Sequence, residues 1–153
     1  MLRLAGNKPR TSERGTVLLM ATVTILVVVG MLALAVDVGY LMNGRGQLQN
    51  IVDASALAGA HGLRTAIEPN GATGQQTQLV RSLARDFALF NPLRAANGTT
   101  GLNLSDEDIS IVYPADYPIH PARVTVKHRT ALPTIFGSVF GLTSMNVSAV
   151  AIA

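Results

Sequence analysis

The sequence contains no cysteine among its 153 residues. Disulfide bonds, thiolate metal sites and thiol nucleophiles are therefore all excluded. Charged side chains are also scarce, because Asp, Glu, Lys and Arg together make up 14% of the chain, whereas hydrophobic residues make up 48%. This balance is more typical of a membrane-attached protein than of a free cytosolic one. The length allows one domain of ordinary size.

The sequence also lacks the groups of residues that are typical of metal, phosphate-binding and catalytic sites. His61, His120 and His128 fall in three different segments without the spacing of a metal site, and we interpret His128 as a packed strand residue. The acidic run 106–108 lacks the spaced oxygens and the glycine of a calcium loop, so we interpret it as a solvated turn. The chain has no phosphate-binding glycine loop and no G-x-S-x-G motif. We therefore expect a protein that is not an enzyme, with no catalytic residue, metal ligand, cofactor or small-molecule substrate.

The net charge of +3 is concentrated at the start of the chain. Arg3, Lys8, Arg10 and Arg14 against Glu13 account for that excess, and the rest of the sequence is close to neutral. The basic balance therefore gives no reason to expect a nucleic-acid partner. Basic residues beside a membrane span remain on the cytoplasmic side, so they predict a cytoplasmic N-terminus.

What the chain does contain is a run of 21 residues, 16–36, without one ionisable side chain. As a helix this run is about 31 Å long, which matches a hydrocarbon core of about 30 Å. Its five Leu, six Val and one Ile contribute roughly −4 to −7 kcal/mol to the free energy of membrane insertion. We expect a retained membrane anchor, with the C-terminal domain on the side of the membrane opposite the N-terminus. The alternative is a signal peptide cleaved after Ala35, because residues 33–35 match an A-x-A site.

A second helical pattern follows the run, over 37–66. Small and apolar residues recur on one face of this helix, and we expect them to be helix-packing or interaction positions: Leu48, Val52, Ser55 and Gly59. Gly44 and Gly46 each cost roughly 1 kcal/mol in a helix interior, so we expect a kink or local break there with helix on both sides.

Asp37 is the one charged residue whose position alone indicates a role, because it ends the uncharged run. Its simplest role is to prevent the helix from sliding inward. The alternative is an ion pair with a basic group of a neighbouring subunit.

The rest of the chain predicts a loop around 68–74, a helix over 75–90, and a Gly/Thr/Asn loop over 97–103. Alternating patterns then predict strands over 109–113, 123–129 and 145–152, with prolines confined to the first connection and a short helix over 134–140 capped by Gly141. The fold class is α+β: a long N-terminal transmembrane helix that continues into an extracytoplasmic helix, a second helix and a small antiparallel-type sheet of about three strands. The expected divisions are 1–15 basic leader, 16–36 transmembrane helix, 37–66 juxtamembrane helix and 67–153 small extracytoplasmic domain.

Two blocks behind the basic leader carry a family resemblance: LAVDVG at 34–39 and LQNIVDASALAGA at 48–60. Over about residues 14–60 the chain resembles TadG-like proteins of the Tad (tight adherence) or Flp pilus system. The tail from Val124 to Ala149 resembles the end of short members of that family. The resemblance implies a bacterial inner-membrane protein of a pilus assembly or secretion apparatus, with its C-terminal domain in the periplasm and a pilin-like layout. Its partners would be other pilus-assembly or pilin-like subunits. A homo-oligomer is left open.

Larger relatives carry a D-x-S-x-S metal motif, but here Leu57 stands at the second serine position, so metal-dependent adhesion is not expected. The resemblance also raises the alternative of a minor pseudopilin cut after Gly15. That cut would place Met20 at the fifth mature position, where prepilins carry Glu. The anchored, uncut protein is therefore the preferred interpretation.

Overall fold

The computed structural model describes residues 11–65, 74–95, 98–114 and 122–153. The longest element is helix α1, Thr11–Thr65, which has 55 residues and is therefore about 80 Å long. Its first half stands alone: in the uncharged run, Leu18 and Leu26 are each 72% exposed. Its second half carries buried residues every three or four positions, from Leu48 to Leu63, because that half packs against the rest of the chain.

Helix α1 continues without interruption through Gly44 and Gly46, so the expected local break is wrong. Gly44 is buried, and a Cβ atom there would overlap the Cδ1 atom of Leu132. The glycine therefore serves the close approach of a strand to the helix rather than a change of backbone direction. The packing energy of that approach offsets the unfavourable helix propensity of glycine.

Helix α2, Gly74–Phe90, confirms the predicted second helix. Its buried residues are spaced by four and contact α1: Gln76, Val80, Ala84 and Ala88. Among its larger apolar side chains Val80 is fully buried, whereas Leu79, Phe87 and Phe90 are 39%, 46% and 82% exposed. The glycines of α1 let α2 approach closely: a Cβ on Gly62 would lie 2.9 Å from Leu83 Cδ1 and 3.4 Å from the Val80 Cα atom.

The main sheet has three antiparallel strands in the order β3-β4-β5. Strand β3 spans Ile109–Val112, β4 spans Arg123–Pro133 and β5 spans Ser144–Ile152, as the alternating patterns predicted. The register places Ile109 opposite Val126 and Pro133 opposite Ser144. Side chains on the inward face of β4 are almost fully covered, with Val124 and Val126 at 0% exposure and Leu132 at 1%. The α+β fold is confirmed.

Two local predictions need correction. The expected loop over 97–103 includes part of a small antiparallel hairpin, β1 (Leu93–Ala95) with β2 (Gly98–Thr100), whose three-residue strands are too short to show an alternating pattern. The expected helix over 134–140 shrinks to a 3-10 helix, Gly137–Phe140, because Pro133 still belongs to β4. Gly141 ends that turn with φ of 81°, as its predicted capping role requires.

Several predicted features lie outside the described residues. They are the first ten residues of the basic leader, most of the loop around 68–74, and the part of the proline-rich connection that contains His120, Pro118 and Pro121.

Candidate interaction site

Asp37 lies where helix α1 changes from exposed to covered, and it is only 6% exposed. Its Oδ1 atom accepts hydrogen bonds from the backbone N–H groups of Ile135 at 2.9 Å and Phe136 at 3.0 Å. Its Oδ2 atom accepts from Phe136 at 3.2 Å and from Gly137 at 2.6 Å. Three successive N–H groups thus converge on one carboxylate, which is the geometry of a backbone anion nest.

These bonds tie two parts of the chain that are 98 to 100 residues apart in sequence. Burial raises the pKa of Asp37, but the N–H groups of Phe136, Ile135 and Gly137 outweigh that effect and hold the pKa below its ordinary value. The ionised carboxylate is therefore the form that the nest stabilises. Pairing of Asp37 with a basic group of a neighbouring subunit stays a prediction, and such a group would share oxygens that already accept four hydrogen bonds.

The other four predicted interaction positions lie further along the same helix. Leu48, Val52 and Ser55 are each 0% exposed. The Ser55 hydroxyl donates to the Ile51 carbonyl at 2.7 Å, so its polar atom is satisfied within the helix. A Cβ on Gly59 would lie 3.1 Å from Val124 Cγ1 and 3.4 Å from Val80 Cγ1. What covers this face in the single chain is therefore its own sheet and α2.

An open apolar groove of about 640 Å³ runs between α1 and α2. Leu57 is 68% exposed and Phe87 is 46% exposed in this groove. The lining is almost wholly apolar, with charge only at its end: Ala54, Leu57, Ala58, Ala60, His61, Arg64, Leu83 and Phe87.

Some charged groups of the domain form ion pairs on its surface. Asp106 Oδ1 lies 2.7 Å from Arg81 Nη1 and 2.5 Å from Arg85 Nη2, and these two guanidinium groups hold the pKa of Asp106 below its ordinary value. Asp108 Oδ2 lies 3.2 Å from His128 Nδ1. Residues 106–108 form the predicted turn, in which Asp106 and Glu107 are exposed.

Asp108 is the more enclosed of these two carboxylates, with its side chain 20% exposed. Burial raises its pKa, but the N–H and hydroxyl of Ser105 and the ring of His128 together lower it below the ordinary value. In the ranges that the structure describes, no group of three or more His, Cys, Asp or Glu side chains is placed to hold a metal ion.

Other contacts at the site were not predicted from the sequence. Gln49 Nε2 donates to the Val150 carbonyl at 3.0 Å, and Gln47 Oε1 accepts from the Arg94 N–H at 3.0 Å, so both glutamines fix α1 to strands. Gln49 lies within the family block at 48–60 and Gln47 lies just before it, but nothing in that block indicates a contact with a strand. One sequence feature could have predicted the nest around Asp37. The predicted helix begins after Pro133, and a helix has free N–H groups at its start that can bind a carboxylate.

Two family models match the chain. The model described as putative Flp pilus-assembly TadE/G-like matches residues 15–62, which include Asp37 and the other four predicted interaction positions. The model described as putative Tad-like Flp pilus-assembly matches residues 44–153, which include α2 and the five strands that the structure describes. No curated protein and no solved structure shows significant similarity to this chain. The second match spans well over half of the sequence, and the chain therefore belongs to the Tad-like Flp pilus-assembly family.

Proposed function

We propose that this protein is a non-enzymatic, single-pass inner-membrane component of a Tad/Flp pilus assembly or secretion apparatus. Helix α1 anchors it, its N-terminus is cytoplasmic, and the domain built on the second half of α1 lies in the periplasm. Membership of the pilus-assembly family supports the assembly role.

The observation that carries the membrane placement is the change of environment along α1. In the described ranges one helix is long and apolar enough to cross a membrane, and none of its most apolar 18-residue window is buried. Leaving about a dozen Val, Leu and Ile side chains in water would be unusual for a soluble domain. Among the described side chains of α1, Asp37 is the first that is buried rather than half-buried, and the buried positions follow from there to Leu63.

The orientation rests on the basic leader. Four basic residues precede the run, and Asp37 follows it without a basic neighbour until Arg45. Positively charged flanks are retained in the cytoplasm, so the leader stays inside and the domain is exported.

The absence of cysteine makes the orientation simple to test, since any introduced thiol is unique. Asn7→Cys places a thiol in the leader, and Glu107→Cys places one in the exposed acidic turn. With a membrane-impermeant maleimide, Glu107→Cys should react in intact spheroplasts, whereas Asn7→Cys should react only after lysis. The reverse pattern, or equal labelling of both before lysis, would contradict the proposed topology.

The assembly role needs a separate test. Purification of the tagged full-length chain in mild detergent, from cells that produce the pilus machinery, should recover pilin or pilus-assembly subunits identified by mass spectrometry. Recovery of abundant chaperones and porins alone would contradict the role.

Two alternatives make different predictions about the mature N-terminus. A pseudopilin processed at Gly15 begins at Thr16, and a secreted binding domain cleaved after Ala35 begins at Val36. The anchored protein retains Met1 or the residue exposed by its removal. Sequencing the N-terminus of the protein purified from membranes and from the periplasmic fraction separates the three.

A further inference from the structure

The turn between β4 and β5 exposes an unusual amount of apolar surface. We call residues 134–142 the β4–β5 tip. Within it Val139 is 79% exposed, Phe140 76% and Leu142 60%. The tip contains no ionisable side chain, and none follows Arg129 up to the last residue.

The position of the tip along α1 is fixed by Asp37. The N–H groups of Ile135, Phe136 and Gly137 bond to its carboxylate, so the tip lies beside the last turn of the uncharged run. On the same face of α1, one helical turn before Asp37, Ala33 is half-buried, whereas Ala21 and Ala35 are exposed. The covered face of α1 thus reaches into the run that the anchor places in lipid.

Most backbone N–H groups and both hydroxyl groups of the tip are bonded within the chain, which lowers the cost of entry into lipid. Its backbone N–H groups at 135–137 donate to Asp37, and Thr134 donates to the Thr143 carbonyl at 3.1 Å. Further along, the N–H groups of Val139, Gly141 and Leu142 donate to carbonyls within the tip at 2.9 to 3.1 Å. The Ser138 hydroxyl donates to the Ile135 carbonyl, and the Thr134 hydroxyl donates to the Leu142 carbonyl.

We propose that the β4–β5 tip is a second membrane contact, which inserts Val139, Phe140 and Leu142 into the outer interface of the bilayer beside α1. An uncharged loop with exposed aromatic and aliphatic side chains, held at the height of the headgroups, has the chemistry of an interfacial anchor. The contact would fix the tilt of the domain on its helix. This inference rests on the proposed anchoring of α1.

The chain has no tryptophan, so a single introduced Trp reports on one site only. Phe140→Trp tests the tip, because it replaces one aromatic side chain with another and so changes the tip little. Leu26→Trp, at a position 72% exposed within the run, tests the anchor. Leu57→Trp is the control outside the membrane, because Leu57 is 68% exposed and follows Asp37 by 20 residues, or about 30 Å along the helix axis.

Each full-length variant is reconstituted into phosphatidylcholine–phosphatidylglycerol vesicles with and without brominated acyl chains, which quench Trp fluorescence on contact. We expect strong quenching at position 26, clear quenching with a blue-shifted emission at position 140, and neither at position 57. Val139→Trp, at an equally exposed position of the tip, should repeat the result if Phe140→Trp perturbs the fold.

If position 140 behaves like position 57 while position 26 is quenched, the tip does not enter lipid and the anchor still stands. A blue-shifted emission at position 140 that bromine does not quench would place the tip against protein, such as a second copy, and would also overturn the inference. Loss of quenching at position 26 would overturn the anchoring itself, and the inference with it.

Discussion

Gly44 and Gly46 offer a matched pair of substitutions, because they lie two residues apart in the same continuous helix and differ in what surrounds them. Alanine at either position gains about 1 kcal/mol of helix propensity. At Gly46 a Cβ atom meets nothing within 4 Å, so Gly46→Ala should stabilise the fold by about that amount. At Gly44 the same atom overlaps Leu132 Cδ1.

Leu132 has little room to move, since it is 1% exposed. Overpacking of a filled core costs about 1–3 kcal/mol, so Gly44→Ala should range from neutral to about 2 kcal/mol destabilising. The helix-propensity gain cancels between the two variants, and their difference should be about 1–3 kcal/mol. At about 2–4 °C per kcal/mol for a chain of this size, the melting temperatures should differ by about 2–12 °C.

The measurement is thermal unfolding of the full-length variants in a mild detergent, followed by far-UV circular dichroism. Leu132→Ala provides the control, although it costs about 2–5 kcal/mol by itself. In that background the overlap is removed, so Gly44→Ala should become stabilising, as Gly46→Ala is. If the two glycine variants raise the melting temperature equally with Leu132 in place, the strand does not approach the helix at Gly44 and the reasoning is wrong.

Further predictions concern the core, the nest and the dependence on pH. Leu48→Ala, at a fully buried position, should cost about 2–5 kcal/mol, whereas Leu57→Ala on the same helix should change stability by less than about 0.5 kcal/mol in the same unfolding assay. Asp37→Asn should speed hydrogen exchange of the amides at 135–137, because a neutral amide oxygen accepts their N–H bonds more weakly; unchanged exchange would contradict the nest. Because folding lowers the pKa values of Asp37 and Asp108, their ionised forms stabilise the fold fully above about pH 4. That contribution is lost as the pH falls through the lowered pKa values, so the melting temperature should drop as the pH falls below about 4, less steeply in Asp108→Asn.

Periodic patterns allowed most of the fold to be predicted from the sequence. Strand β4 alternates polar and apolar residues around Val124 and Val126, and α2 has an amphipathic pattern, so the type of each element follows from local sequence. The face that α2 buries was harder to predict. Ala84 and Ala88 are fully buried, whereas the larger Phe87 and Phe90 are 46% and 82% exposed. The glycines of α1 bring Val80 and Leu83 of α2 close to the α1 backbone.

The features that could not be predicted depend on residues far apart in sequence. The local sequence predicts a helix break at Gly44, and only the close approach of Leu132 explains why a glycine lies within a continuous helix. The position of Asp37 at the end of the run indicated that it has a role, but its partners are about 100 residues away in sequence. They are backbone N–H groups, which nearly every residue type has, so the side chains at 135–137 do not identify them. The tip was predicted as an ordinary short helix, and its exposure shows only in three dimensions.

The most direct test of the account is alkaline carbonate extraction of membranes from cells that produce the native chain, with the product identified by intact mass. If helix α1 remains in lipid and holds the domain outside, the uncut chain of 153 residues should stay in the membrane pellet. Recovery of that uncut chain in the soluble fraction, with none in the pellet, would contradict the account.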